Sequence, residues 1–173
     1  PPRSTLFPYT TLFRSIDGDT SDIYTVAVAD KTVKKIVATA GPDSGPVWSP
    51  DGKQIAFSTA NADPFFFYKN GRIGVVAAEG GPVQIVAGEI DEDIGPDQWG
   101  KEGIYFSAWN KLERGIFVVQ PGGKAKRLFE TFHLTFMGAS LSKDEKLVAA
   151  VAAKANEYAE VYVLRIDPMG PKI

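Results

Sequence analysis

The feature that most constrains this chain is an internal repeat with a period of about 45 residues. One unit contains a β-prone run, a turn with Gly or Asp, and a second run with basic and apolar residues. Copies of it begin at residues 23, 73, 116 and 161. A second unit, WSPDGKQIAFST in its clearest form, begins at residues 48, 99 and 141. Two interleaved motifs with one period predict a repeat architecture.

The period and the turns predict the blades of a β-propeller, in which four short antiparallel strands form each radial sheet. Asp51 and Gly52 lie where a tight turn needs positive φ. Helical periodicity is almost absent, and the Ala-rich residues 147–155 fit an inner strand as well as a helix. We therefore predict an all-β, incomplete β-propeller of WD-like repeats with about thirteen strands.

This fold prediction divides the chain into two full and two partial four-stranded blades. The full blades are predicted at residues 47–86 and 98–129, and the partial ones at residues 23–37 and from residue 136 onward. An aromatic run at residues 65–68 either packs on a neighbouring blade or lines a binding surface. The side chains predicted to lie between sheets are Trp48, Ile55, Phe57, Trp99, Tyr105, Phe106 and Phe117.

The amino-terminal residues 1–15 are predicted to be a non-native leader, which leaves residues 16–173 as the propeller segment. Residues 6–15, LFPYTTLFRS, resemble the translation of a DNA sequencing adapter. The alternative is a genuine leader, since Leu, Phe, Tyr and Thr suit strands. It has no apolar stretch typical of a secretory signal. If it derives from an adapter, the natural amino terminus is missing, and a signal peptide could be missing with it.

Composition argues against several kinds of partner and site. The net charge is −2 without a basic stripe, so we expect neither nucleic acid nor an anionic membrane as a partner. The apolar runs are too short for a membrane-spanning helix. With no cysteine and one histidine, no disulfide and no thiolate or zinc site is expected, and we predict no cofactor.

Residues 45–59, GPVWSPDGKQIAFST, resemble the repeat of TolB-type propellers and of the propeller domain in prolyl oligopeptidase family serine peptidases. Residues 69–86, the acids at 91–93 and residues 99–108 look more like dipeptidyl aminopeptidase and acylaminoacyl-peptidase relatives. The resemblance covers about residues 20–168. It implies a propeller that gates or positions a peptide substrate for a carboxy-terminal α/β-hydrolase domain with a Ser-His-Asp triad.

Two alternatives to the peptidase come from other classes. A TolB-type scaffold would bind protein partners in the periplasm. A polysaccharide lyase would need several histidines, and the chain has one. A bacterial periplasmic or secreted location is slightly favoured over a cytoplasmic one.

We predict no catalytic residue in this chain. The nearest match to a G-x-S-x-G elbow is residues 138–142, which lack the final glycine. His133 is the one histidine that could serve Ser140 as a base.

An acidic loop is the candidate substrate-binding element. Its acids are Glu89, Asp91, Glu92, Asp93 and Asp97. Glu92 and Asp93 are predicted to bind the terminal ammonium of a peptide through charge-assisted hydrogen bonds. The alternatives are a solvated turn whose acids accept backbone N–H groups, and a calcium site.

Overall fold

Four antiparallel sheets make up the fold in a computed structural model. The structure describes residues 9–14, 20–63, 65–129 and 133–166. This part of the chain contains fourteen strands and one short 3₁₀ turn, Phe66–Tyr68, and no helix in it is long and apolar enough to cross a membrane. The prediction of an all-β chain with repeated sheets is confirmed.

The strands follow one another in chain order with short connections. They are β1 (Tyr9–Arg14), β2 (Ser21–Val26), β3 (Val33–Val37), β4 (Asp43–Trp48), β5 (Gln54–Thr59), β6 (Arg72–Ala77), β7 (Gln84–Val86), β8 (Gln98–Gly100), β9 (Gly103–Asn110), β10 (Glu113–Val119), β11 (Lys126–Arg127), β12 (Thr135–Leu141), β13 (Leu147–Ala153) and β14 (Glu160–Arg165).

Each sheet is an antiparallel meander. The second sheet, β4 to β7, and the third, β8 to β11, each have four strands, as predicted for the full blades. The first sheet, β1 to β3, and the fourth, β12 to β14, each have three among the described residues. The repeat aligns β2 and β3 with β6 and β7, and β12 to β14 with β4 to β6. In the described part, the first sheet therefore lacks the innermost strand and the fourth lacks the outermost.

One strand lies within the predicted leader. The backbone of β1 pairs antiparallel with β2, with Tyr9 opposite Val26 and Arg14 opposite Ser21. It is an edge strand of the first sheet, not a central one. Residues 1–8 and 15–19 lie outside the described residues. The non-native origin of residues 1–15, and the domain boundary at residue 16, stay predictions.

The repeated turn between the first two strands of a blade has the same hydrogen bonds in the second and fourth sheets. Ser49 donates to Asp51 Oδ1 at 2.7 Å, and Ser142 donates to Asp144 Oδ1 at 2.7 Å. Each serine Oγ also accepts the backbone N–H five residues later, at 2.9 and 3.0 Å. The hydroxyl hydrogen bonds hold the pKa of Asp51 and of Asp144 below the usual range.

The Ser49→Ala variant is expected to lower the free energy of unfolding by about 1–2 kcal/mol, because the hydroxyl of a buried serine makes two hydrogen bonds that the variant loses. Ser142→Ala removes the same bonds at a half-buried serine, where water can replace them, and is the matched control with a smaller effect. Urea titration followed by tryptophan fluorescence measures both. Equal losses for the two variants would contradict this account.

The core lies between successive sheets in three apolar clusters, which join the first sheet to the second, the second to the third and the third to the fourth. The predicted core residues are confirmed, with one distinction. The indoles of Trp48 and Trp99 are half-buried at cluster margins. The buried members of the predicted set are Ile55, Phe57, Tyr105, Phe106 and Phe117, of which Ile55, Phe57 and Phe106 are fully covered.

Candidate functional site

The connections that flank the second sheet meet at one end of its strands. Residues 38–42, 60–71 and 87–97 lie where β5 and β7 end and β4, β6 and β8 begin. Antiparallel pairing brings these ends together, and we call this surface the upper face. It contains an open cleft of about 170 Å³. Polar or aromatic side chains that line the cleft include Ser44, Ser58, Phe66, Lys69, Asn70 and Asp93.

The aromatic run on the upper face divides into two parts. Phe66 lies against Gly41, whose φ of +86° and close approach leave no room for a side chain. Phe65, Phe67 and Tyr68 are exposed, and the Phe67 ring centroid lies 4.1 Å from that of Phe66. Phe66 therefore packs inward, and the other three form an exposed aromatic surface beside the cleft. That this surface binds a ligand stays a prediction.

Asp93 lies at the cleft and anchors its wall. Its Oδ1 accepts the backbone N–H of Gly71 at 2.6 Å. Asp91 Oδ1 accepts Asn70 Nδ2 at 3.1 Å, and Arg72 Nη2 lies 3.9 Å from the same oxygen. These bonds connect the acidic loop to the start of β6 and fix the two connections relative to each other.

The outer acids of the loop hold neighbouring segments. Glu89 Oε1 accepts the backbone N–H of Ala125 at 2.6 Å, and Asp97 Oδ2 accepts the Ser107 hydroxyl at 2.9 Å. Hydrogen bonds from the backbone N–H groups of Glu89 itself and of Ala125 hold the pKa of Glu89 below its usual range. For Glu89 and Asp93, the alternative of acids that accept backbone N–H groups therefore describes the contacts present.

The structure separates the two predicted binding residues. Asp93 lines the cleft, whereas the half-buried Glu92 is not part of its lining. Their assignment to a substrate stays a prediction. In the part of the chain that the structure describes, no group of three His, Cys, Asp or Glu side chains could hold a metal ion. Sequence reasoning missed Lys69 and Asn70. The one sequence feature that points to them is their position near the end of residues 60–71, the long connection between β5 and β6.

Lys69 brings a cation to the cleft, but this cation already has a partner. Its Nζ lies 2.6 Å from Asp63 Oδ2, and this hydrogen bond holds the pKa of Asp63 below the usual range. Arg72 donates to the carbonyl oxygen of Ile90. The acids at positions 91–93 thus leave the upper face with negative charge beside an aromatic surface.

Beneath the cleft lies a buried carboxylate that sequence reasoning also missed. Asp43 is fully buried; Thr59 Oγ1 donates to its Oδ1 at 2.6 Å, and the Thr39 N–H and hydroxyl donate to its Oδ2 at 3.2 and 2.9 Å. Ser21 Oγ donates to its main-chain oxygen at 2.9 Å. Burial raises the pKa of Asp43. This network ties the first sheet to the floor of the cleft, because Thr59 also lines it.

Ser140, in the nearest match to a G-x-S-x-G elbow, does not lie beside His133. Ser140 is exposed on β12, and five strand positions, roughly 15 Å, separate it from Thr135 at the strand start. His133 precedes that start and is exposed, with Nδ1 3.7 Å from Glu113 Oε1. The described residues therefore place Ser140 and His133 at opposite ends of the strand.

No family model and no curated protein matches the sequence. Solved structures do match. TolB from Acinetobacter baumannii superposes with a TM-score of 0.71 at 20% identity, over 92% of this chain and 39% of that one. The fold is a β-propeller.

Two propellers of peptidases also match. The β-propeller domain of the Trilobed protease from Pyrococcus furiosus has a TM-score of 0.65 at 16% identity, over 89% of this chain and 45% of that one. The acylaminoacyl peptidase from Pyrococcus horikoshii has a TM-score of 0.66 at 15% identity, over 89% of this chain and 23% of that one. This chain spans less than half the length of each of these three proteins. At such identities the likeness shows the fold alone.

Proposed function

We propose that this chain is a non-catalytic propeller segment of a prolyl oligopeptidase family serine peptidase, which gates or positions a peptide substrate at the upper face. The observation that carries the proposal is the cleft lined by Asp93 beside the exposed Phe65, Phe67 and Tyr68. A carboxylate next to aromatic rings matches the terminal ammonium and apolar side chains of a peptide. The likeness to peptidase propellers supports it further.

The binding step would use the upper face in two ways. Asp93 would accept N–H bonds from the ammonium group, and the neighbouring acids Asp91 and Glu92 would add attraction. The aromatic surface would contact the following side chains and cover them from water. In this proposal a carboxy-terminal α/β-hydrolase domain supplies the nucleophile and oxyanion donors, with a G-x-S-x-G elbow followed by Asp and His.

The test compares a tetrapeptide amide that has a free amino terminus with its N-acetylated form in titration calorimetry. The free form is expected to bind roughly ten- to a hundredfold more tightly, the value of a hydrogen bond to a charged group. Asp93→Asn should remove this difference, because Asn keeps an acceptor for the Gly71 N–H but carries no charge.

The matched control is Asp97→Asn, since Asp97 contacts Ser107 away from the cleft. It should leave the preference for the free amino terminus unchanged. Equal affinities for the two peptides, or an Asp93→Asn variant that keeps the preference, would reject peptide-terminus binding at this face.

A second candidate is a TolB-type scaffold that binds protein partners, which the likeness to TolB favours. The full reading frame of the source gene distinguishes the two candidates. A frame that continues into alternating strands and helices with a G-x-S-x-G elbow supports the peptidase. A frame that stops soon after the propeller supports the scaffold. A periplasmic or secreted location stays part of either proposal.

A further inference from the structure

Three oxygen atoms of the upper face lie around the space beside Gly71. A Cβ atom placed on Gly71 would lie 3.5 Å from Asp93 Oδ1, 3.7 Å from Ser58 Oγ and 3.8 Å from the main-chain oxygen of Ile94. Apart from atoms of residues 70–72, these are the three heavy atoms nearest to that point. The cleft reaches this space, since Gly71, Ser58 and Asp93 all line it. We call the space and its three oxygens the Gly71 subsite.

Hydrogen bonds hold the groups of the Gly71 subsite in place. The Gly71 N–H donates to Asp93 Oδ1 at 2.6 Å, and the Ile94 N–H donates to the main-chain oxygen of Gly71 at 3.2 Å. The Ile94 side chain is buried in the cluster between the second and third sheets. Ser58 belongs to β5 and lies opposite Ile73 of β6. The folded chain therefore positions the three oxygens before a ligand binds, which lowers the cost of binding.

The three oxygens can accept further hydrogen bonds. A carboxylate has about four acceptor positions, and a hydroxyl or carbonyl oxygen has more than one. The Gly71 N–H uses one position of Asp93, and the Ser58 hydroxyl makes no hydrogen bond within the residues that the structure describes. Lys69 also lines the cleft, but its Nζ lies 2.6 Å from Asp63 Oδ2. The subsite therefore suits a positively charged group with several N–H donors.

We propose that the Gly71 subsite binds a primary ammonium group, with one N–H directed to each of the three oxygens. A primary ammonium group has three N–H donors and one charge, which matches three acceptors of which one is a carboxylate. Rotation of the exposed Asp93 and the half-buried Ser58 side chains shortens two of the distances to hydrogen-bond length. This inference rests on the proposed function, because it takes the ammonium group from the amino terminus of a peptide. It adds that the terminus must be unsubstituted.

Gly71 is the specificity-determining position in this proposal. Its missing side chain leaves the space that the ammonium group takes. The φ angle of Gly71 lies outside the left-handed region, and an added Cβ would meet the three oxygens at ordinary van der Waals distances. Gly71→Ala is therefore expected to fold like the unaltered chain and to block the subsite without changing any charge.

The test compares a tetrapeptide amide with a free, an N-trimethylated and an N-acetylated amino terminus in titration calorimetry. The trimethylated form keeps the positive charge but has no N–H donor. The free form is expected to bind about tenfold more tightly than the trimethylated form, because it alone makes hydrogen bonds to the three oxygens. The trimethylated form should still bind more tightly than the acetylated form, because Asp93 attracts its charge.

The variants test the same difference on the protein side. Gly71→Ala should make the affinities of the free and trimethylated forms equal. Gly88→Ala is the matched control and should keep the difference, since no atom outside residues 87–89 lies within 4 Å of its added Cβ and its φ also lies outside the left-handed region. Ser58→Ala removes one acceptor and should reduce the difference to about threefold. Thermal unfolding followed by circular dichroism checks that each variant is folded.

A lysine side chain is another source of a primary ammonium group. An N-acetylated tetrapeptide amide that contains one lysine distinguishes the two sources. It is expected to bind more weakly than the form with a free amino terminus, because a lysine side chain loses more conformational freedom when it is held. Equal or tighter binding of the lysine peptide would overturn the assignment to the amino terminus.

Two results would overturn the subsite and leave the proposed function standing. One is equal binding of the free and trimethylated forms, both tighter than the acetylated form, since the charge alone would then be recognised. The other is a folded Gly71→Ala variant that keeps the preference of about tenfold for the free form. Equal binding of all three forms would instead reject the proposed function, and this inference with it.

Discussion

Asp43→Ala is expected to lower the free energy of unfolding by about 3 kcal/mol, because it leaves the buried Thr59 hydroxyl and two half-buried donors of Thr39 without an acceptor. The carboxylate accepts three hydrogen bonds from Thr39 and Thr59. The hydroxyl groups can rotate toward other acceptors, but the Thr39 N–H cannot. The cost of burying the charge is relieved in the variant, and this offsets part of the loss without reversing its sign.

The control for this prediction is Asp97→Ala, which removes an exposed carboxylate with one hydrogen bond to Ser107. It should cost much less than Asp43→Ala. Urea titrations at one protein concentration measure both. Equal losses would mean that burial and the three donors do not set the contribution of Asp43.

Because the pKa of Asp43 is raised by burial, the free energy of unfolding should depend on pH in a definite direction. The folded chain binds this proton more readily than the unfolded chain, so the contribution of the group is largest below its unfolded pKa of about 3.8 and is lost as the pH rises through the higher folded pKa. Relative to Asp43→Asn, the unaltered chain should therefore gain stability as the pH falls from 7 toward 4. A difference in free energy of unfolding between the two proteins that does not change with pH would contradict this.

Phe106→Ala is expected to lower the free energy of unfolding by about 3–5 kcal/mol, the usual cost of deleting a fully buried ring. Phe106 is fully buried between the second and third sheets, and its ring centroid lies 5.5 Å from that of Phe117. Rigid strands on both sides limit collapse of the cavity, which places the expected loss in the upper part of this range.

Phe67→Ala is the control of the same chemistry, because Phe67 is exposed on the upper face. Its effect should stay within about 0.5 kcal/mol. Tryptophan fluorescence during urea titration reports the transition for both variants, since Trp99 packs against the cluster that contains Phe106. A Phe106→Ala loss below 1 kcal/mol would show that the two sheets repack around the missing ring.

The fold could be predicted from the sequence because its signals are local and repeated. The turn that contains Asp51 and Gly52 recurs with the same spacing, and apolar alternation around Phe57 and Phe106 marks the faces between sheets. The pairing of β1 with β2 was not predicted from the sequence, because an edge strand needs only backbone pairing and β-prone residues. Its pairing with β2 depends on where the chain turns back, which no motif specifies.

The candidate site was only partly predictable. The acidic loop was found from its composition, yet the sequence does not distinguish Asp93, which lines the cleft, from its neighbour Glu92. The aromatic run has no period that would show Phe66 turned inward. Asp43 was missed because a single carboxylate beside a strand looks solvated until its donors, Thr39 and Thr59, are brought around it by the fold.

The stacking of each sheet on its chain neighbours alone makes this protein a one-dimensional array within the described residues. In such an array, cooperativity passes only between adjacent units, and a disturbance weakens with each unit that it crosses. Among the described sheets, the first and the fourth each pack on one neighbour, and a sheet with one neighbour opens at lower free energy than a sheet with two. The upper-face cleft lies on the second sheet. We therefore expect the residues around the cleft to stay folded when the fourth sheet opens locally.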